Sequence, residues 1–186
     1  MVERIAVFCG SKPGNSPLFV SHARQLGGLL ARNRFTLVYG GGSVGIMGAV
    51  ADAVMEGGGQ VVGVITELLL TWEQQHTGIT DLRVVPDMHT RKKMMYELSD
   101  AAIILPGGNG TLDELFEMLT WNTLQIHNKK IYLLNSGGFY KNLIAHMHSM
   151  QSEGFLYEQW TDRLVVAATP EEIISLLNVD KSQSPL

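Results

Sequence analysis

The nine residues PGGNGTLDE, at positions 106–114, combine the residue types of an anion-binding turn with a pair of acids. Glycines at 107, 108 and 110 let the backbone gather its N–H groups, and Thr111 is placed to cap a following helix. Amides and a hydroxyl at the positive end of a helix suit a phosphate group. The segment therefore predicts a phosphate site. It lacks the Gly-Lys-Ser/Thr of a Walker A loop, so ATP hydrolysis is not expected.

Glu114 has two readings. With Thr111 it has the spacing of a capping box, in which the acid bonds back to the N-cap amide. Alternatively, it acts on a ligand, because acids at 113, 114 and 117 would crowd a phosphate unless a cation stood between them or they served other parts of the ligand. The spacing alone leaves both readings open.

A cation is offered by the segment RKKMMYEL at 91–98. Arg91 lies on the apolar stripe of a predicted helix together with Met94, Met95 and Leu98. A buried arginine is costly without a partner, so we expect it to meet a carboxylate or a phosphate. Lys92 could reach the same anion, whereas Lys93 is expected to face solvent.

The elements that position these residues alternate strictly. Nearly continuous apolar runs predict strands at 4–10, 35–40, 60–66, 82–86, 101–107, 130–135 and 163–167. Helical patterns lie between them at 17–33, 45–57, 88–99, 111–126, 139–152 and 170–178. This order predicts a doubly wound, Rossmann-like α/β domain over residues 1–180, with a parallel sheet of about seven strands, helices on both faces and a flexible tail at 181–186. Ligands of such sheets bind beyond the carboxyl ends of the strands, where PGGNGT would lie.

A second glycine loop, GGGSVG at 40–45, matches the G-x-G-x-x-G pattern of dinucleotide-binding proteins. The next strand supplies no acid at its end to hold a ribose, since Glu67 lies just beyond it. Close packing of the strand and helix is the alternative explanation of these glycines.

Composition narrows the class of protein. The 186 residues are 45% hydrophobic and 17% charged, with a net charge of -4, which does not favour a nucleic-acid partner. We find no run long enough to span a membrane, no metal-ligand spacing among the histidines, and one cysteine, Cys9, so we expect a cytoplasmic protein without a metal.

The paired motifs, PGGNGTLDE and the upstream RK in MHTRKKMM, resemble those of the Lonely Guy family, whose pattern is PGGxGTxxE with an upstream RK. FCGSKPGN, LVYGGGSVGIMG and GFYKNL are also similar to this family, and the resemblance covers about residues 4–178. Its members were long mislabelled lysine decarboxylases. The resemblance implies a nucleoside 5'-monophosphate phosphoribohydrolase, acting on cytokinin ribotides or AMP, with no cofactor.

The resemblance also implies roles for individual residues. Arg91 and Glu114 match the catalytic pair. The substrate-contacting positions match Glu73, Lys92, Gly107, Gly108, Asn109, Gly110, Thr111, Asp113 and Thr120. Thr90, Asn109 and Asp113 depart from the residues common in the family, which leaves the base preference open.

These residues suggest a mechanism and an assembly. Glu114 would stabilise an oxocarbenium-like sugar and orient water, while Arg91 would neutralise the phosphate or assist the leaving purine and keep Glu114 oriented. The helix at 111–126 is apolar over most of its circumference, which predicts a homodimer.

The alternatives to the phosphoribohydrolase function are a non-catalytic nucleotide or molybdenum-cofactor carrier, a dehydrogenase and a lysine decarboxylase. The sequence contains no recognisable pyridoxal-phosphate lysine for the last of these.

Overall fold

The computed structural model describes residues 2–70 and 74–183 and forms one parallel sheet of seven strands. The strands are β1 (Arg4–Phe8), β2 (Thr36–Tyr39), β3 (Val61–Thr66), β4 (Asp81–Val85), β5 (Ala101–Ile104), β6 (Ile131–Leu134) and β7 (Leu164–Ala167). The helices are α1 (Pro17–Arg32), α2 (Gly45–Glu56), α3 (Glu67–Leu70), α4 (Met88–Glu97), α5 (Asn109–Thr123), α6 (Lys141–Ser152) and α7 (Pro170–Gln183), with 3-10 turns at Ser136–Gly138 and Trp160–Asp162. The predicted doubly wound α/β fold is confirmed.

The strand order is β4-β3-β2-β1-β5-β6-β7. The chain builds the sheet outward from β1 in one direction, then returns to the other side of β1 with β5, which pairs Val7 with Ile103. This reversal is the topological switch point, where a crevice opens beyond the carboxyl ends of β1 and β5. The loop after β5 is PGGNGT, so the sequence motif lies at the place where such folds bind ligands.

Helices cover both faces of the sheet, and each face has its own apolar core. On one face, Leu26 of α1, Val50 of α2 and Ile173 of α7 are buried in one cluster. On the other, Met95 of α4, Leu115 of α5 and Met147 of α6 pack in a second cluster. Both faces are buried, which explains why β5 and β6 are continuous apolar runs rather than alternating ones. The second face carries the two helices, α4 and α5, that bear the predicted site.

The structure differs from the prediction at several element ends. Helix α5 begins at Asn109 rather than at 111, and the four-residue helix α3 was not predicted. Helix α7 continues to Gln183, so the expected end at 178 is wrong. The regularly spaced apolar residues of α7 end near Leu177, so the sequence pattern does not predict the last turns of this helix. No helix among the described residues is long and apolar enough to cross a membrane.

Candidate active site

The turn from β5 into α5 brings the PGGNGT backbone to the sheet edge. Gly108 is the N-cap residue of α5, with φ -99° and ψ -152° and no side-chain cap. The first helical hydrogen bond runs from Leu112 N–H to Gly108 C=O, at 3.1 Å. The N–H groups of residues 108–111 precede it and have no acceptor within the helix. They are four of the five donors, at residues 107–111, that the sequence analysis predicts for a phosphate.

Thr111 is not the N-cap residue, and that prediction is wrong. It lies inside the first turn of α5 and is buried. The capping-box reading of Glu114 required Thr111 at the N-cap, so it is wrong as well. The physical reason is that Gly108 can take the extended N-cap conformation by itself, which lets the N-cap lie three residues earlier, at 108 rather than 111.

Gly107 is needed because other atoms approach its backbone closely, and none of the three glycines of this turn has a positive φ angle. A Cβ atom added at Gly107 would lie 2.1 Å from Thr111 Oγ1 and 2.9 Å from the backbone nitrogen of Gly10. Positions 108 and 110 face open space. Positive φ angles occur at other glycines and at none of these three, so the turn lacks the left-handed residue of an αR–αL nest. The helix start itself presents the amides.

Arg91 is buried near the N-terminus of α4, with 5% of its surface exposed, as its place on the apolar stripe predicts. Asp87 caps this helix by accepting a hydrogen bond from the Thr90 N–H at 2.9 Å. The Arg91 guanidinium donates from Nε to Val64 O at 2.9 Å and from Nη2 to Gly40 O at 2.8 Å. These carbonyls, one within β3 and one directly after β2, hold the cation in a fixed place.

The carbonyl contacts explain part of the GGGSVG loop. A Cβ at Gly40 would lie 2.2 Å from Arg91 Nη2, and one at Gly45, which has a φ angle of +61°, would lie 2.4 Å from Ser11 O. Packing therefore accounts for both positions. The sequence did not predict that this loop would support Arg91, because a carbonyl acceptor leaves no mark on residue type.

Lys92 points from α4 to α5 and meets two acids. Its Nζ lies 3.1 Å from Asp113 Oδ2 and 3.1 Å from a carboxylate oxygen of Glu117. Burial lowers the pKa of the Lys92 ammonium, but the hydrogen bonds and charges of the two carboxylates outweigh it, and the pKa is raised. Lys92 is therefore a charged link between the two helices. Lys93, by contrast, is exposed and pairs with Glu97 at 3.7 Å, as expected for a surface residue.

Tyr96 completes the contact between α4 and α5. Its hydroxyl donates to Glu117 Oε2 at 2.8 Å and lies 3.4 Å from the Glu114 carbonyl oxygen. Burial, followed by the Glu117 hydrogen bond, raises the pKa of Tyr96. The contacts turn the side of α5 that carries residues 113, 114 and 117 toward α4. The sequence analysis assigned no role to Tyr96 or Glu117, although the i, i+3 spacing of Glu114 and Glu117 was a usable signal.

An open cleft of about 530 Å³ runs along α5. Three of the predicted residues, Asn109, Asp113 and Thr120, line it. Thr120 is exposed, and its hydroxyl donates to Phe116 O at 2.7 Å. A second cavity, of about 310 Å³, lies across the turn between the loop at 10–14 and Gly107–Gly108. The turn thus has room for a ligand on both sides.

Glu73 lies outside the described residues. The next residue, Gln74, is anchored on the second glycine loop, since its carbonyl accepts from Ser43 N–H at 2.9 Å and from Ser43 Oγ at 2.6 Å. Among the residues that the structure does describe, no group of three His, Cys, Asp or Glu side chains could hold a metal ion.

Known proteins with similar sequences bear on this arrangement. Residues 47–177 match the family model described as "Possible lysine decarboxylase". A cytokinin riboside 5'-monophosphate phosphoribohydrolase of Rhodococcoides fascians is 43% identical over 176 residues, which cover 94% of this chain and 89% of the relative. The enzyme of the same name from Arabidopsis thaliana is 44% identical over 175 residues, covering 94% and 81%. The chain belongs to the Lonely Guy family.

Solved structures of more distant proteins have the same fold as this Lonely Guy chain. The molybdenum cofactor carrier protein of Chlamydomonas reinhardtii superposes with a TM-score of 0.76 at 20% identity, over 98% of this chain and 100% of the carrier. At that identity the likeness shows the fold alone. The predicted architecture is therefore shared by proteins of distant sequence.

Gly107→Ala tests the close approach in the turn. The added methyl would overlap Thr111 Oγ1, so we expect the free energy of unfolding to fall by about 1–3 kcal/mol. The matched control is Gly108→Ala, whose methyl enters open space and should cost less than about 1 kcal/mol. Urea denaturation of the two variants measures the difference. Equal losses would show that the turn is not tightly packed at Gly107.

Proposed function

We propose that this protein hydrolyses the N-glycosidic bond of nucleoside 5'-monophosphates, namely cytokinin riboside 5'-monophosphates or AMP. Water would add across the bond, so that the base leaves with a proton and the sugar becomes ribose 5-phosphate. One arrangement carries the proposal: an anion-binding helix start and Glu114 occupy adjacent turns of α5, and the adjoining helix α4, which contacts α5 through Lys92 and Tyr96, carries the buried Arg91. Relatives with this activity in their names are more than 40% identical to the chain.

The phosphate would bind at the start of α5. The N–H groups of residues 108–111 and the helix dipole attract an anion, and residues 108–110 are exposed to a ligand. The absence of side chains at 108 and 110 leaves the backbone open to close contact. Binding energy gained at this remote group would position the sugar for reaction.

Glu114 would act at the sugar. It follows Thr111 by three residues, which is about 5 Å of rise along a helix. A ribose attached to the bound phosphate would extend over this turn. The transition state of N-glycoside hydrolysis carries positive charge on the ring, and a carboxylate beside it stabilises that charge and orients the attacking water.

The cations have separate tasks in this proposal. Carbonyl oxygens of Gly40 and Val64 hold Arg91, so its charge is fixed before the ligand arrives. A fixed cation stabilises the anionic ligand without the cost of rearrangement. Lys92 is balanced by Asp113 and Glu117, and its main task is to hold α5 against α4. Asp113, with 62% of its side chain exposed, can still offer an oxygen to the sugar from the cleft.

A non-catalytic carrier of nucleotides or molybdenum cofactor is the alternative. The carriers with this fold are about 20% identical to the chain, and they support the fold only. Glu114, one turn after the proposed phosphate site, favours the enzyme, because a carrier of an anionic ligand does not need an acid beside the sugar. AMP as a substrate and the cytoplasmic location expected from the single cysteine stay predictions.

The direct test is release of adenine from AMP within a panel of nucleoside monophosphates, scored by chromatography. Glu114→Gln should lower turnover about 100-fold or more while AMP still binds, because the amide cannot carry the negative charge. The control is Glu97→Gln, which changes an exposed carboxylate on α4 and should leave turnover unchanged. Normal adenine release by Glu114→Gln would refute the catalytic assignment. AMP binding without release by the unaltered protein would support the carrier.

We also propose that the protein is a homodimer. A groove of about 290 Å³ lies between α5, α6 and the segment at 155–163, and its lining is largely apolar. Tyr157 and Phe155 at its rim are 95% and 77% exposed. Phe116 and Thr120 line both this groove and the proposed substrate cleft. A second copy seated in the groove would therefore bury the aromatic side chains and border the site.

Light scattering at micromolar concentration should give twice the chain mass of 20.4 kDa. Phe155→Asp should shift the protein toward the monomer, because a charge in the interface core is costly to bury. Leu68→Asp is the control, since Leu68 is 66% exposed but lies on α3, outside the groove. A monomer mass for the unaltered protein would contradict the proposal.

A further inference from the structure

Tyr140 is a buried residue that the proposed mechanism does not use. It lies between the 3-10 turn Ser136–Gly138 and α6, in the GFYKNL segment, with 3% of its surface exposed. Its backbone N–H donates to Asn135 Oδ1 at 2.7 Å, and this hydrogen bond holds the Tyr140 backbone in place. The side chain reaches the turn between β5 and α5, where its hydroxyl contacts Leu105 O.

The Tyr140 hydroxyl is bonded to that turn. It donates to Leu105 O at 2.7 Å, and the Gly107 N–H lies close enough to affect its pKa. A phenylalanine ring at this position could not make the bond to Leu105 O. Burial, then the nearby Cys9, raises the pKa of Tyr140 against the opposing effect of the Gly107 amide, so the hydroxyl keeps its proton at neutral pH.

The opposite side of the turn has one further anchor. Gly10 N–H donates to Pro106 O at 3.1 Å, so residues 105–107 are held from β1 and from α6 together. Gly107 is also in contact with Thr111, the last residue of the donor set. Any movement of residues 105–107 would therefore tilt the N–H groups of residues 108–111.

We propose that Tyr140 is a positioning residue that fixes the β5–α5 turn, so that the first N–H groups of α5 converge on the substrate's phosphate. The proposal rests on the proposed function, and it identifies a residue that supports phosphate binding at the start of α5. It also assigns the donors more narrowly than the sequence does: the Gly107 amide lies beside the Tyr140 hydroxyl, and the phosphate is left to residues 108–111.

Tyr140→Phe tests this role, and Tyr132→Phe is the matched control. Tyr132 is equally buried, and its hydroxyl bonds Asp180 far from the turn. Both variants lose one buried hydroxyl, but only Tyr140→Phe should raise the KM for AMP, by about tenfold, with kcat within about twofold. The dissociation constant of ribose 5-phosphate, measured by calorimetry without turnover, should rise by the same factor, while that of free adenine should not change.

Asn135→Ala is a second variant in case Tyr140→Phe folds poorly. It removes the acceptor of the Tyr140 backbone N–H and leaves the hydroxyl in place, so a smaller rise in the same two constants is expected. Unchanged constants in Tyr140→Phe, or equal rises in Tyr140→Phe and Tyr132→Phe, would overturn the positioning role. If the unaltered protein neither binds ribose 5-phosphate nor cleaves AMP, the proposed function fails, and this inference fails with it.

Discussion

The close approach of Gly107 to Thr111 and Gly10 is the constraint on which the site depends. It brings the end of β5, the end of β1 and the first turn of α5 into contact at the topological switch point of the sheet. The space there admits no side chain at residue 107, and the helix begins two residues later, at Asn109. The backbone donors of α5 are therefore presented at the sheet edge, and Glu114 follows one turn later on the same rigid helix.

Electrostatic balance follows from this placement. The start of α5 is attractive to anions, yet the helix carries three acids in its first three turns. Lys92 takes two of these acids, Asp113 and Glu117, with Tyr96 as an additional donor to Glu117. Arg91 donates hydrogen bonds to the backbone carbonyls of Val64 and Gly40. Glu114 lies between these two acids in the chain and is the one assigned to the sugar in the proposed mechanism, and different environments are what distinct roles for neighbouring carboxylates require.

The sequence predicted the fold because each strand is a short apolar run and each helix has its own periodicity. It also predicted that Arg91 would be buried, since one charged residue on an apolar stripe is a strong signal. It misplaced the N-cap at Thr111, because N-cap residue preferences favour threonine over glycine. The backbone conformation of Gly108 determines where the helix begins. It missed the Tyr140 and Gly40 contacts, since partners distant in the chain or made of main-chain carbonyls leave no local pattern.

The central claim is that the start of α5 grips a nucleotide's phosphate with Glu114 beside the sugar. A crystal structure of the Glu114→Gln variant with AMP tests it most directly. The account predicts phosphate oxygens about 2.7–3.2 Å from the N–H groups of residues 108–111, with the side chain at 114 facing C1' of the ribose. A phosphate bound elsewhere, or a side chain at 114 directed away from the sugar, would contradict it.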